Sequence, residues 1–406
     1  MRIVNPADHD GFALKGPLGA LRLLRLRERR TFHEREPVSR VETLGQSIWL
    51  DFLSRRMLVS GELASLILED GVSGVTSNPA IFEKAIAQGA DYDTAIKRLS
   101  RRGLSAPEIY EELLVEDVQM TADLLRPLYD RLDGGDGFVS IEVSPHLAHD
   151  SVGTLVEARR LWERVGRPNL LVTVPATWEG LSAIRQLIRE GINVNVALLF
   201  GISRYRAVAE AYVDGLAERA SRGLPLERVA SVASFFLSHI DVLVDTLLAK
   251  LGVGNVGGVP QDALPLRGEI ALESAKVARE VYREILAGDR YLTLAGRGAR
   301  QQRLLWTSTG AKDPAYCDVK YLDALIGRET ENAAPLETQD NPRDRPAPHR
   351  EQGLREASTV LERLAELGIE LSAVTLQLED EGVEKMVRPF DSLMLALEQK
   401  RVAALG

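Results

Sequence analysis

Polar residues stand inside or at the ends of several short apolar runs: Asp51, Thr76, Asn78, Glu142, Thr173, Thr177, Asn195, Ser234, His239, Ser308 and Lys312. A buried polar group costs free energy unless it is bonded, so this recurrence calls for an explanation. Taken singly, each could merely satisfy a neighbour. Taken together they suggest one polar site, in which the carboxylates Asp51 and Glu142 could be pushed to different pKa values and divide acid and base duties. A second cluster follows the third run. Glu142, His146, His149 and Asp150 would bring two imidazoles near carboxylates, and a metal there could polarise a carbonyl. One short His-x-x-His spacing is a weak signal, so these histidines are read as surface or loop-stabilising groups, with no metal.

Positioning such residues requires a repeating scaffold. Strands are expected at 48–53, 72–77, 138–143, 170–174, 194–200, 229–235 and 304–308, with a further candidate at 331–334. Several runs are continuously apolar, which is how strands buried on both faces of a parallel sheet read. Helices fall between them. Leu181, Ile184, Leu187 and Ile188 share one face by helical spacing, with Arg185, Arg189 and Glu190 opposite. A β-then-α repeat closes into a barrel or opens into a doubly wound sheet, and no Gly-x-Gly-x-x-Gly turn supports the dinucleotide form of the latter. Eight strands make the barrel number. The expectation is therefore an α/β chain, a (β/α)8 TIM-type barrel with additional N- and C-terminal helices, in which reactive groups stand at the C-terminal ends of the strands. The stretch 337–352 is polar and proline-rich and reads as an exposed loop. In the helical tail, Leu361, Leu364 and Leu367, then Phe390, Leu393, Met394 and Leu397, form stripes that pack on the barrel or across a subunit contact, which leaves a homo-oligomer open.

Composition narrows the function classes. The 406 residues are 45 % hydrophobic and 27 % charged with a formal net charge of −9, which fits a globular chain and disfavours nucleic acid or an anionic membrane as partner. No apolar run approaches the roughly 20 residues of a membrane helix. The single cysteine, Cys317, cannot form an internal disulfide and fits a reducing, cytoplasmic setting. Residues 1–43 form an arginine-rich extension to a barrel spanning 44–406. A basic surface helix, a tail or a misplaced start would each produce it; secretion is disfavoured, because no signal-peptide run follows the arginines.

GQSIWLDFLSR at 45–55, GVTSNPAIFEKAI at 74–86, VSIEVSPHLAHD at 139–150, NLLVTVPATWEG at 169–180, GINVNVALLF at 191–200, SVASFF at 231–236 and LLWTSTGAKDPAY at 304–316 resemble the motifs of transaldolases, in their longer bacterial form. The resemblance runs from about residue 44 to the C-terminus. It implies a (β/α)8 barrel that moves a dihydroxyacetone unit between sugar phosphates of the pentose phosphate pathway, without metal or organic cofactor, through a Schiff base on a barrel lysine. By resemblance Asp51 is the general acid/base, Glu142 the water-activating carboxylate, Asn78 and Asn195 contacts to the dihydroxyacetone hydroxyls, Ser308 a phosphate-side hydroxyl and Lys312 a phosphate contact. The resemblance also puts Thr177 of the fourth motif, with the Thr173 position, in the catalytic group, and Thr76 of the second motif, Ser234 of the sixth and the His239 position in the substrate-binding group.

Three positions depart from that pattern. The Schiff-base lysine stands directly before the Ile/Val-Pro-Ala-Thr segment, and here that place holds Thr173. A protonated imine is the electron sink for carbon–carbon cleavage, and a hydroxyl cannot form one. Ala197 replaces the threonine that helps hold the catalytic water, and His239 replaces the arginine that clamps phosphate; histidine is only partly charged near neutral pH and lacks the bidentate fork. Lys84, Lys276 and Lys312 are each better read as solvated, salt-bridged or phosphate-contacting groups than as the missing amine. Three readings stay open: altered acid–base chemistry on a sugar or sugar phosphate through Asp51 and Glu142, a non-catalytic sugar-phosphate-binding or regulatory protein, and an inactive-site variant of a true transaldolase.

Overall fold

Alternation along each strand decides what the barrel holds. The computed structural model describes residues 46–77, 79–251, 261–310, 312–313, 316–317, 320–325, 330–334 and 354–405. Eight strands, β1 (Ser47–Leu50), β2 (Val72–Val75), β3 (Phe138–Glu142), β4 (Leu170–Pro175), β5 (Val194–Leu199), β6 (Ser231–Phe236), β7 (Gln302–Thr307) and β8 (Thr330–Ala334), pair in sequence order into a closed barrel. Each neighbouring pair is parallel, β8 with β1 included. The eight-strand expectation holds. Several strands stop short of the expected bounds, because the backbone leaves the ladder at the mouth to enter the following turn: Asp51 and Thr76 lie just beyond β1 and β2 rather than inside them. The arginine-rich segment 1–43 and the proline-rich stretch 337–352 lie outside the described residues.

Inward positions recur every second residue. The floor of the barrel is apolar, with Trp49, Phe138, Leu171, Val232, Leu305 and Ala333 in one buried cluster. Trp49 fills the space in front of β2, where a Cβ on Gly74 would lie 2.3 Å from the indole ring, so only glycine fits there. Its Nε1 donates to Asp136 Oδ1 at 3.2 Å.

Helices surround this sheet. We label α1 (Ala106–Arg131), α2 (Ser151–Val165), α3 (Trp178–Glu190), α4 (Ile202–Ser221), α5 (Ser238–Leu251), α6 (Ile270–Ala287), α7 (Leu354–Glu366) and α8 (Leu371–Leu405). The C-terminal stripes pack on the barrel: Leu364, Leu393 and Leu397 are fully buried, and Phe390 meets Tyr110 of α1 edge-on at 5.5 Å. A buried pair, Arg204 with both Glu379 oxygens at 3.0 and 3.1 Å, ties α4 to α8. Breaking such a pair would leave an uncompensated buried charge. Helix α8 is thereby held over the mouth. Among the described residues no helix is long and apolar enough to cross a membrane.

Candidate functional site

Two residues above the apolar floor, the same inward alternation presents polar groups. In register across the sheet, Glu142 pairs with Thr173 and Thr173 with Asn195, so three neighbouring strands set these side chains side by side. They open into a cavity of about 250 Å³, also lined by Asp51, Thr76, Ser234, His239 and Ser308. Eight of the residues singled out from the sequence therefore line one cavity. The amide of Asn195 is locked below it, donating to Ser140 Oγ at 3.0 Å and accepting from Ser234 Oγ at 2.7 Å. That lock fixes which end of the amide faces the space above.

Two of the expected residues go elsewhere. Thr177 is fully buried, caps the N-terminus of α3 by accepting from Gly180 N at 3.0 Å, and donates to Ala148 O; it does not line the cavity. Lys312 is exposed and lines a neighbouring groove with Asp241, Asp245 and Tyr316. Asn78 lies outside the described residues.

The mouth stores strain and unmet hydrogen bonds. Leu198 and Ser308, both lining the cavity, adopt left-handed backbone angles of φ 54° and 53°, and the β5–β6 ladder shifts register between Val196 and Leu199. Non-glycine residues in that region cost on the order of 1–2 kcal/mol each and persist where the surroundings enforce them. Among the described residues, buried side-chain atoms without a partner include Glu142 Oε2, Thr173 Oγ1 and His239 Nδ1. All three belong to residues on the cavity wall.

Electrostatics separate the two carboxylates. Burial raises both, Glu142 well above the usual carboxylate range with the negative charge of Asp51 adding to the effect. For Asp51 the burial effect is opposed by a 2.6 Å hydrogen bond from Thr76 Oγ1 and by the charge of Lys312. Glu142 is thus the better proton holder and Asp51 the better carboxylate. His239 is pushed down to about 4 by burial, then by the charges of Lys312 and Lys385, so its ring is neutral at pH 7. It sits between Phe200 and Phe236, with ring centroids 6.2 Å from each.

The cluster that hinted at a metal is divided among separate duties. His146 Nε2 lies 2.8 Å from Asp391 Oδ1, His149 Nδ1 lies 3.3 Å from Glu179 Oε2, and Asp150 caps α2 by accepting from Val152 N and Gly153 N. Among the described residues no group of three or more His, Cys, Asp or Glu could hold a metal ion.

The sequence reading missed the roof. Helix α8 contributes Leu378, Gly382, Lys385, Met386 and Pro389, whose spacing of three to four residues defines one helix face. A Cβ on Gly382 would lie 2.9 Å from Leu198 Cδ2, so the glycine lets the helix approach the strained turn. Lys84 is exposed and Lys276 bonds Glu273 at 2.8 Å; neither lines the cavity, and nor does Lys312. Lys385 does, a lysine that the sequence reading had not weighed.

The family description Transaldolase/Fructose-6-phosphate aldolase matches residues 48–397. A protein named Transaldolase from Thiobacillus denitrificans is 48 % identical over 356 residues, covering 87 % of this chain and 97 % of its own length. Transaldolase 2 from a Nostoc species is 44 % identical over 367 residues, with 89 % and 96 % covered. A Transaldolase from Saccharopolyspora erythraea is 42 % identical over 359 residues, with 88 % and 95 % covered.

Proposed function

The chain belongs to the transaldolase/fructose-6-phosphate aldolase family, and from that premise we propose that it acts on sugar phosphates by proton transfer through Asp51 and Glu142 rather than by an imine on β4. The observation that carries this reading is the wall itself: two carboxylates of unequal acidity flank a cavity in which the β4 position offers the hydroxyl of Thr173. In the family that place carries the Schiff-base lysine. A hydroxyl cannot supply the iminium needed to break the carbon–carbon bond, but a carboxylate and a carboxylic acid can still enolise a ketose. Asp51 would take the proton from the carbon next to the carbonyl, the C–H electron pair would form the enediol double bond, and Glu142 would pass its proton to the carbonyl oxygen. Reversal with a solvent proton completes an exchange or an isomerisation. A cytoplasmic setting, in keeping with the single cysteine, accompanies this reading.

Incubation with fructose 6-phosphate in D2O tests it. Deuterium should enter at carbon next to the ketone, and Asp51→Asn should abolish the incorporation. Binding without incorporation would favour the second reading, a sugar-phosphate-binding or regulatory protein, which Thr173, Ala197 and the neutral His239 support. Recovery of dihydroxyacetone transfer in Thr173→Lys alone would favour the third, a true transaldolase with one damaged position.

A further inference from the structure

In a closed eight-strand barrel the strand facing β6 is β2, four places away in either direction. Asp51 follows β1 and Glu142 ends β3, so the two carboxylates straddle β2, while His239, just beyond β6, stands at the opposite side of the mouth. Among the described cavity-lining residues, the carboxylates Asp51 and Glu142 therefore lie on one side of the mouth and none lies on the strands opposite. A phosphate ester would be repelled from that side and needs a cation opposite. His239 does not supply one, since its ring is neutral at pH 7. Among the described cavity-lining residues, Lys385 on α8 is the lysine or arginine present. Lys385 lines the same cavity as His239, and α8 packs against α5, the helix that carries His239, whose Nδ1 has no partner among the described residues. Glu381, one turn earlier on α8, holds Lys385 Nζ at 3.0 Å and itself accepts from Gln377 Nε2 at 2.8 Å.

We propose that Lys385 is an anion-anchoring residue of this cavity, reaching down from the C-terminal helix to hold the phosphate of a sugar phosphate beside His239. This rests on the sugar-phosphate reading and assigns the phosphate end of that site. An ammonium group is a mobile point charge rather than a fork, so it anchors phosphate without fixing its rotation. Glu381 is its resting counter-ion and competes with the ligand for it. Since the cation comes from a helix and not from a strand, affinity for the phosphate depends on α8 lying over the mouth.

Calorimetric titration at low salt separates the possibilities, using fructose 6-phosphate and unphosphorylated fructose against the wild type, Lys385→Met, Lys385→Arg and Glu381→Gln. The wild type should prefer the phosphate ester. Lys385→Met should weaken that ligand about tenfold while leaving fructose unchanged, the scale of one partly exposed charge-assisted hydrogen bond. Lys385→Arg should keep most of the affinity, and Glu381→Gln should tighten phosphate binding severalfold. A wild type that prefers the ester, with Lys385→Met unchanged, overturns the anchor and leaves the sugar-phosphate reading standing. Equal losses in Lys385→Met and Lys385→Arg would also overturn it, by showing a packing role. A wild type with no preference for the ester would remove the sugar-phosphate reading and the anchor together.

Discussion

At the floor of the barrel Trp49 lies against Gly74 and gives its indole hydrogen to Asp136; two residues further along, Asp51 faces the cavity with a raised pKa. The same step separates Leu171 from Thr173 and Val232 from Ser234. Below, the inward positions are filled by large apolar side chains. Above, they are polar, and among the described residues Glu142 Oε2, Thr173 Oγ1 and His239 Nδ1 have no partner. Alternation runs through both layers, which differ in residue type and, at the mouth, also in backbone, with Leu198 and Ser308 held at left-handed angles. The floor is specified for packing, and the mouth gives up some stability to keep polar atoms available to a ligand.

That contrast can be broken at either layer. Trp49→Ala should cost about 3–5 kcal/mol in denaturant unfolding, because the removed indole leaves a cavity between strands that cannot close around it. A loss below about 1 kcal/mol would mean that the floor does not carry the barrel. A smaller effect with a definite pH signature is expected at the mouth. His239 has a folded value of about 4, below the usual 6.5, so the unfolded chain binds the extra proton first. Its contribution to stability is complete above pH 6.5 and is lost as pH falls from there toward 4. Between pH 7 and pH 5 the wild type should therefore lose about 2 kcal/mol that His239→Phe, seated among Phe200 and Phe236, retains. Parallel pH dependence in the two proteins would show that the ring is not held neutral.

Much of this was legible before folding was considered. Apolar runs ending in polar residues marked the barrel and eight of its wall positions, because inward alternation is written directly in each strand. Thr177 misled for a local reason: a threonine ahead of a helix satisfies the orphan N–H groups there, and its own run does not distinguish a cap from a ligand contact. Lys385 was invisible for a non-local one. An amphipathic pattern shows that α8 packs, but not which part of the mouth it crosses, and Lys385 lies on a stretch whose register is fixed by distant contacts such as Arg204 with Glu379 and Phe390 with Tyr110. The strain at Leu198 and Ser308 likewise has no signature in residue type.

The proposed chemistry requires that β4 offer the hydroxyl of Thr173 and no amine, and that Lys385, held by Glu381, serve as a cation rather than as a nucleophile. Mass spectrometry of the protein after incubation with fructose 6-phosphate and borohydride measures this directly. The intact mass should be unchanged; a stable dihydroxyacetone or hexose adduct on any lysine, Lys385 included, would contradict it.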